Sequence, residues 1–190
     1  MRNCRMTSAD QYEDINTMDQ YRLAVRMGCS EEEALAVCNR LSRDNARTPM
    51  QWSAGENAGF TDGTPWFMVN PDYQKINVEV QEEDPDSVLN YYRKLTKLRK
   101  APEYKETFTY GRFVPAYAEE ENQIMGYYRM SEKQRILVLG NWGEETETLT
   151  LDGQIRQVLL NNLPELLVEG DQLFLKSCQA LVLLMEDREF

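Results

Sequence analysis

Residues 42–83, SRDNARTPMQWSAGENAGFTDGTPWFMVNPDYQKINVEVQEE, decide how this chain is read. The stretch is rich in Gly, Pro, Asn and Asp, so it breaks any helical or strand period. It nevertheless carries Trp52, Phe60, Trp66, Phe67 and Tyr73. An irregular segment of about forty residues is far longer than usual connections and is either functional or disordered. Aromatic side chains need a surface to pack on, and so many of them argue against disorder. The segment reads as an ordered, functional loop.

On its N-terminal side the pattern predicts two helices. Thr17 followed by Gln20 fits a capping box for a helix over 17–27, with Met18, Tyr21 and Val25 on one face and Gly28 to stop it. Ser30 opens a second helix over 31–41. Its spacing to Glu33 gives another capping box, and Ala34, Leu35, Cys38 and Leu41 supply an apolar face. Beyond the loop, Asp84 as cap and Pro85 at the first position predict a helix over 85–100, with Val88, Tyr91, Tyr92, Leu95 and Leu98 at helical spacing. Lys94, Lys97, Arg99 and Lys100 crowd its end, where the helix dipole favours cations; a solvated helix terminus explains them better than a nucleic-acid patch.

The style changes near Lys100-Ala101-Pro102. Residues 1–100 hold 13 basic and 16 acidic residues, and residues 101–190 hold 8 and 16. The second part reads as short strands: 107–110, 111–117, 124–130, 135–141, 146–151, 157–161, 166–168, 172–175 and 180–185. Turn signals at Glu121-Asn122, Asp152-Gly153 and Glu169-Gly170-Asp171 fall between them. Such spacing suggests an antiparallel sandwich or barrel, with Ile136-Leu137-Val138-Leu139 as a central strand buried on both faces.

Composition removes several classes of function. The 190 residues contain no histidine, which excludes His-dependent nucleophilic catalysis and imidazole metal sites within the chain. A formal net charge of −11 disfavours nucleic acid and anionic membrane surfaces. No apolar run approaches the ~20 residues of a membrane span, and the start, MRNCRMTSADQYED, lacks the apolar core of a signal peptide. Cys4, Cys29, Cys38 and Cys178 share no metal or redox spacing, and reduced thiols in a cytoplasmic protein are expected.

Several strings resemble a known family. SRDNARTPMQW at 42–52, NAGF at 57–60, PW at 65–66, VNP and Tyr at 69–73 and INV at 76–78 are similar to the oligo-1,6-glucosidase group of glycoside hydrolase family 13. That group includes α-glucosidases, dextran glucosidases, trehalose-6-phosphate hydrolases and sucrose isomerases. DQYEDINT at 10–17 and DSVLNYYRKLTKLRK at 86–100 agree with it.

The resemblance implies an α+β chain: the C-terminal end of a (β/α)8 TIM barrel over 1–101, then an antiparallel β-sandwich domain over 102–190. It implies retaining hydrolysis of α-glucosidic bonds in oligosaccharides through an oxocarbenium-like state. The nucleophilic Asp, acid/base Glu and stabilising Asp would lie upstream of Met1, so no catalytic residue is expected in this chain and it should be inactive alone. No cofactor or metal is expected. The expected partners are an α-glucoside oligosaccharide, the upstream barrel part and, through exposed barrel-facing surfaces, further copies of the chain.

Arg43 matches an Arg that in the family helps close the pocket around the non-reducing glucose. It either reaches sugar hydroxyls or forms a structural ion pair with Asp44 or Asp14. Arg47 is expected to fix the loop, Gln51 and Trp52 to approach the pocket rim, and Asp14 and Asn16 to organise the preceding segment. Trp66, Phe60 and Tyr73 either stack on sugar or pack the loop. Asn57 stands where relatives often have His, and Trp142 is either a carbohydrate platform or a cover for the sandwich edge. The alternatives to a portion of an α-glucosidase are a non-catalytic carbohydrate-binding or scaffolding β-domain, and one half of a split α-glucosidase.

Overall fold

The computed structural model describes residues 2–117 and 123–186. The turn expected at Glu121-Asn122 lies outside them. The chain forms two compact units, Met1–Leu89 and Asn90–Phe190.

The first unit is helical. Helix α1 (Ile15–Arg26) begins ahead of the expected Thr17 cap, because the Asp14 carboxylate accepts both the Thr17 N–H at 3.2 Å and the Thr17 hydroxyl at 2.7 Å. It stops where Gly28 takes a left-handed φ of 99°, a conformation that costs glycine little. Helix α2 (Glu31–Leu41) carries the full capping box: Glu33 N–H donates to Ser30 Oγ at 3.2 Å, and Ser30 N–H donates to Glu33 Oε2 at 2.9 Å. Its buried face holds Ala34 and Cys38, but Leu41 is 66% exposed and does not extend it. Cys4, Met6, Tyr12, Cys38 and Phe67 form the core of this unit, flanked by Met18, Tyr21, Leu35 and Met68. Burial raises the Cys4 and Cys38 thiol pKa values, so these free thiols stay protonated.

The segment 42–83 is not one structureless loop. Short 3-10 turns over Arg43–Ala46 and Pro71–Gln74 and a left-handed turn at Asn57-Ala58 punctuate it, and it ends in helix α3 (Val78–Glu83), capped where Val80 N–H donates to Asn77 Oδ1 at 2.9 Å. Helix α4 (Val88–Lys100) starts later than the Asp84-Pro85 signal predicts. Asp84 Oδ1 accepts from Asp86 N–H at 2.9 Å inside a turn, and the Leu89 N–H in the first turn of α4 donates to Gln81 Oε1 of α3 at 3.0 Å.

In the second unit, α4 is followed after Ala101 by helix α5 (Pro102–Tyr110), where a strand over 107–110 is expected from sequence. Tyr104 and Phe108, one helical turn apart, are both buried in a cluster with Ile136, Leu160, Val182 and Leu184; that packing overrides the strand propensity of Thr107–Tyr110. Tyr91, Leu95 and Leu98 of α4 join this cluster, whereas Val88 and Tyr92 are exposed.

Among the described residues eight antiparallel strands follow: β1 (Arg112–Pro115), β2 (Ile124–Met130), β3 (Arg135–Asn141), β4 (Glu147–Thr150), β5 (Ile155–Asn161), β6 (Leu167–Glu169), β7 (Gln172–Leu175) and β8 (Ala180–Met185). They form a five-stranded sheet ordered β1-β2-β3-β8-β5 and a three-stranded sheet ordered β4-β7-β6. Leu137, Leu139, Leu181 and Leu183 of the larger sheet meet Leu149, Leu173 and Leu175 of the smaller one in the sandwich core. The alternate residues of β3, Ile136 and Val138, turn to the helical cluster, so this strand is covered on both faces.

No helix among the described residues is long and apolar enough to cross a membrane. No group of three or more Cys, Asp or Glu side chains among them is placed to hold a metal ion.

Four carboxylates are held below their ordinary pKa: Asp10 by the Ser8 side chain, Asp14 first by Thr17 and then Arg43, Glu33 by the Ser30 backbone N–H, and Glu165 by Lys176. Each binds its proton less readily folded than unfolded. Their stabilisation is therefore complete above the ordinary carboxylate range and lost as pH falls through the depressed folded values. Thermal unfolding followed by circular dichroism is expected to give a Tm that is flat near neutrality and falls below about pH 4. A Tm that rises on acidification over that range would contradict these contacts.

Candidate functional site

The candidate site is a knot of two carboxylates and two arginines at the entry to the 42–83 segment. Ser42 caps the 3-10 turn there by accepting the Asp44 N–H at 3.1 Å, and its hydroxyl lies 3.0 Å from that of Thr17 in the first turn of α1. This joins the start of the segment to the start of α1. Asp44 is 0% exposed. Its Oδ2 accepts the backbone N–H groups of Glu13 and Asp14, each at 2.9 Å, and its Oδ1 takes Arg47 Nη1 at 3.0 Å.

Asp44 thereby fixes the backbone of Asp14, whose own carboxylate is divided. One oxygen caps α1 through Thr17, and the other accepts Arg43 Nη2 at 2.6 Å, with Arg47 Nη2 3.9 Å away. Both carboxylates are buried, while the Arg43 side chain is 67% exposed and that of Arg47 is 39% exposed. Arg47 pairs with Asp44 and lies near Asp14, linking the two carboxylates. Arg43 is anchored through one nitrogen and presents the rest of its planar donor fork to solvent. An aligned fork of this kind suits vicinal hydroxyls or a carboxylate.

Of the two partners open to Arg43 in the sequence, Asp14 is the one found, and Asp44 goes to Arg47. The sequence offers Asp44 only as that alternative partner. Its anchoring role becomes visible once folding brings residues 13–14 beside residue 44, although the Ser-x-Asp pattern at 42–44 already signals a capped turn.

Gln51 is 1% exposed. Its Nε2 donates to Asp72 Oδ1 at 2.8 Å and to the Ile76 carbonyl at 2.7 Å, tying together two parts of the segment, and its Oε1 is buried with no hydrogen-bond partner among the described residues. Trp52 follows on the exposed side, with Phe60 and Trp66 also exposed and Tyr73 half-buried. Trp66 lies against buried Phe67 with ring centroids 5.3 Å apart. Asn57 and Ala58 take left-handed φ values of 49° and 58°, and Asn57 Nδ2 closes that turn on the carbonyls of Thr61 and Gly63. Asn16 is exposed on the first turn of α1. In the second unit Trp142 is exposed, its backbone N–H donating to the Gln123 carbonyl at 2.8 Å.

The stretches that hold the knot and the sandwich each match a known family. Residues 11–111 match the family of α-amylase catalytic domains, and residues 124–182 match the C-terminal domain of the α-amylase SusG. The chain belongs to the α-amylase family of glycoside hydrolases, family 13. It is 42% identical over 146 residues to a probable oligo-1,6-glucosidase of Bacillus subtilis, covering 76% of this chain and 25% of that protein. It is 39% identical over 167 residues to the oligo-1,6-glucosidase of Parageobacillus thermoglucosidasius, covering 85% and 29%. The solved trehalose-6-phosphate hydrolase of Bacillus licheniformis superposes with a TM-score of 0.86 at 32% identity, over 98% of this chain and 34% of that one. The chain thus spans about a quarter to a third of the length of these relatives.

Proposed function

We propose that this chain is the C-terminal portion of an α-glucosidase of the oligo-1,6-glucosidase type, hydrolysing α-glucosidic bonds of oligosaccharides with retention of configuration. In this reading the Asp nucleophile, Glu acid/base and stabilising Asp are supplied by an upstream barrel part, residues 1–101 complete that barrel, and 102–190 form the C-terminal domain. The observation that carries it is Arg43: a guanidinium anchored to buried Asp14 at 2.6 Å, yet 67% exposed at the start of the family's loop. Arg43 would bind the hydroxyls of the terminal glucose. Arg47 and Gln51 would hold the loop in place, and exposed Trp52 would stand at the pocket rim. The similarity to oligo-1,6-glucosidases supports this substrate class. Ile15, Leu23, Val37 and Leu41, exposed on α1 and α2, support a surface made to meet the barrel part and prone to self-association without it.

The test compares the chain alone with the chain joined to the upstream barrel segment, on isomaltose and p-nitrophenyl α-glucoside. The chain alone is expected to release no glucose, and the joined enzyme to release α-glucose. Arg43→Ala in the joined enzyme is expected to lower kcat/KM about 10- to 100-fold, the value of one charge-assisted hydrogen bond. Turnover by the chain alone would refute the upstream carboxylates, and an unchanged kcat/KM would refute the role of Arg43.

A further inference from the structure

A cavity in the first unit has a chemistry different from that of the knot. A cavity of about 530 Å³ is walled by residues 2–5, the C-terminal half of α2 and the turn at 70–72. Arg2, Arg5 and Arg40 line it, against one carboxylate, that of Asp72. Among the described residues none of these three arginines enters an ion pair. Asp72, by contrast, already accepts Gln51 Nε2 at 2.8 Å. In a chain of formal net charge −11, a local excess of two positive charges around one cavity is out of keeping with the rest of the molecule.

The walls are built rather than draped. Asn70 Nδ2 donates to the Arg2 carbonyl at 2.7 Å, Cys4 N–H donates to Asn45 Oδ1 at 3.0 Å, and Met6 N–H donates to Asn39 Oδ1 at 2.7 Å. These bonds pin residues 2–6 to Asn39 of α2, Asn45 and Asn70, and both Cys4 and Asn70 are buried. The helix end beside the cavity would ordinarily present carbonyl oxygens and repel an anion. Here Asn3 Nδ2 donates to the carbonyls of Asn39 at 3.4 Å and Arg40 at 3.1 Å, which covers two of them.

We propose that this cavity binds a phosphate group, as the dianion, through Arg2, Arg5 and Arg40. Guanidinium forks match phosphate oxygens in pairs, and three of them oppose two negative charges and the nearby Asp72. The site is separate from Arg43 and does not depend on the glucosidase reading.

Titration calorimetry of the 190-residue chain with inorganic phosphate, glucose 6-phosphate and glucose, at constant ionic strength set with chloride, tests it. Phosphate is expected to bind saturably at one site per chain. Arg40→Gln should weaken binding about 10- to 100-fold, the value of one charge-assisted hydrogen bond. The triple change of Arg2, Arg5 and Arg40 to Gln should abolish it, while Arg22→Gln, at an exposed residue outside the cavity, should leave it unchanged. Tighter binding of glucose 6-phosphate than of phosphate, with none of glucose, would assign a phosphorylated sugar; equal binding would assign the free ion. Absence of saturable heat, or equal retention in the triple variant with unchanged circular dichroism, overturns the proposal.

Discussion

Asp44→Ala is expected to destabilise the first unit by about 2–4 kcal/mol, the cost of losing a fully buried carboxylate and the hydrogen bonds it accepts. Asp44 is fully buried and accepts from Glu13 N–H, Asp14 N–H and Arg47. Truncation removes the carboxylate that accepts the Glu13 N–H, the Asp14 N–H and Arg47 Nη1, and leaves the buried Asp14 N–H without its acceptor. Asp44→Asn keeps a carbonyl oxygen for the backbone donors and loses the charge, so it should cost less, about 1–2 kcal/mol. Urea unfolding gives the ordering, and amide exchange at Glu13 and Asp14 locates it, since those two N–H groups should lose protection first in Asp44→Ala. Equal midpoints for wild type and Asp44→Ala would mean that this carboxylate does not hold the segment to α1.

Leu183→Ala is expected to cost about 2–5 kcal/mol, through lost burial and the cavity it leaves. Leu183 is fully buried on β8, a strand flanked by β3 and β5, and lies directly opposite Leu137 in the register. It faces the core shared by both sheets, so little can collapse into the space without moving a strand. Leu167→Ala on the edge strand β6, where the side chain is exposed, should stay within about 0.5 kcal/mol. Urea midpoints of the two variants make the comparison. Similar shifts would place the core elsewhere than between these sheets.

Much of the second unit was legible because strand chemistry is local. β2, β3, β7 and β8 occupy the stretches their alternation and turn signals predict, and the four-residue apolar run in β3 marks a strand covered on both faces. The α2 capping box was equally plain, since donor and acceptor lie three residues apart in one sequence string. Thr107–Tyr110 misled because four residues of high strand propensity look alike in a strand or a helix. The decision belonged to Tyr104 and Phe108, whose burial against Ile136 and Leu184 rewards helical spacing.

At the candidate site the sequence picked out Arg43 through its setting in the string at 42–52, and it offered both possible acid partners. Choosing between Asp14 and Asp44 required the fold. The two acids are thirty residues apart in the chain but joined by the Asp14 N–H on Asp44, and only that geometry assigns Arg43 to one and Arg47 to the other.

The sequence by itself therefore determined the family, the antiparallel strands of the second unit and the capped helix α2, because each rests on patterns read within a few residues or along one unbroken string. Tertiary structure alone decided that Asp44 is an anchor, that Gln51 is buried while Trp52 is exposed, and that Arg2, Arg5 and Arg40 share one cavity. Those facts depend on which distant backbone groups a side chain meets and on how much water is left around it, and neither quantity is carried by local spacing.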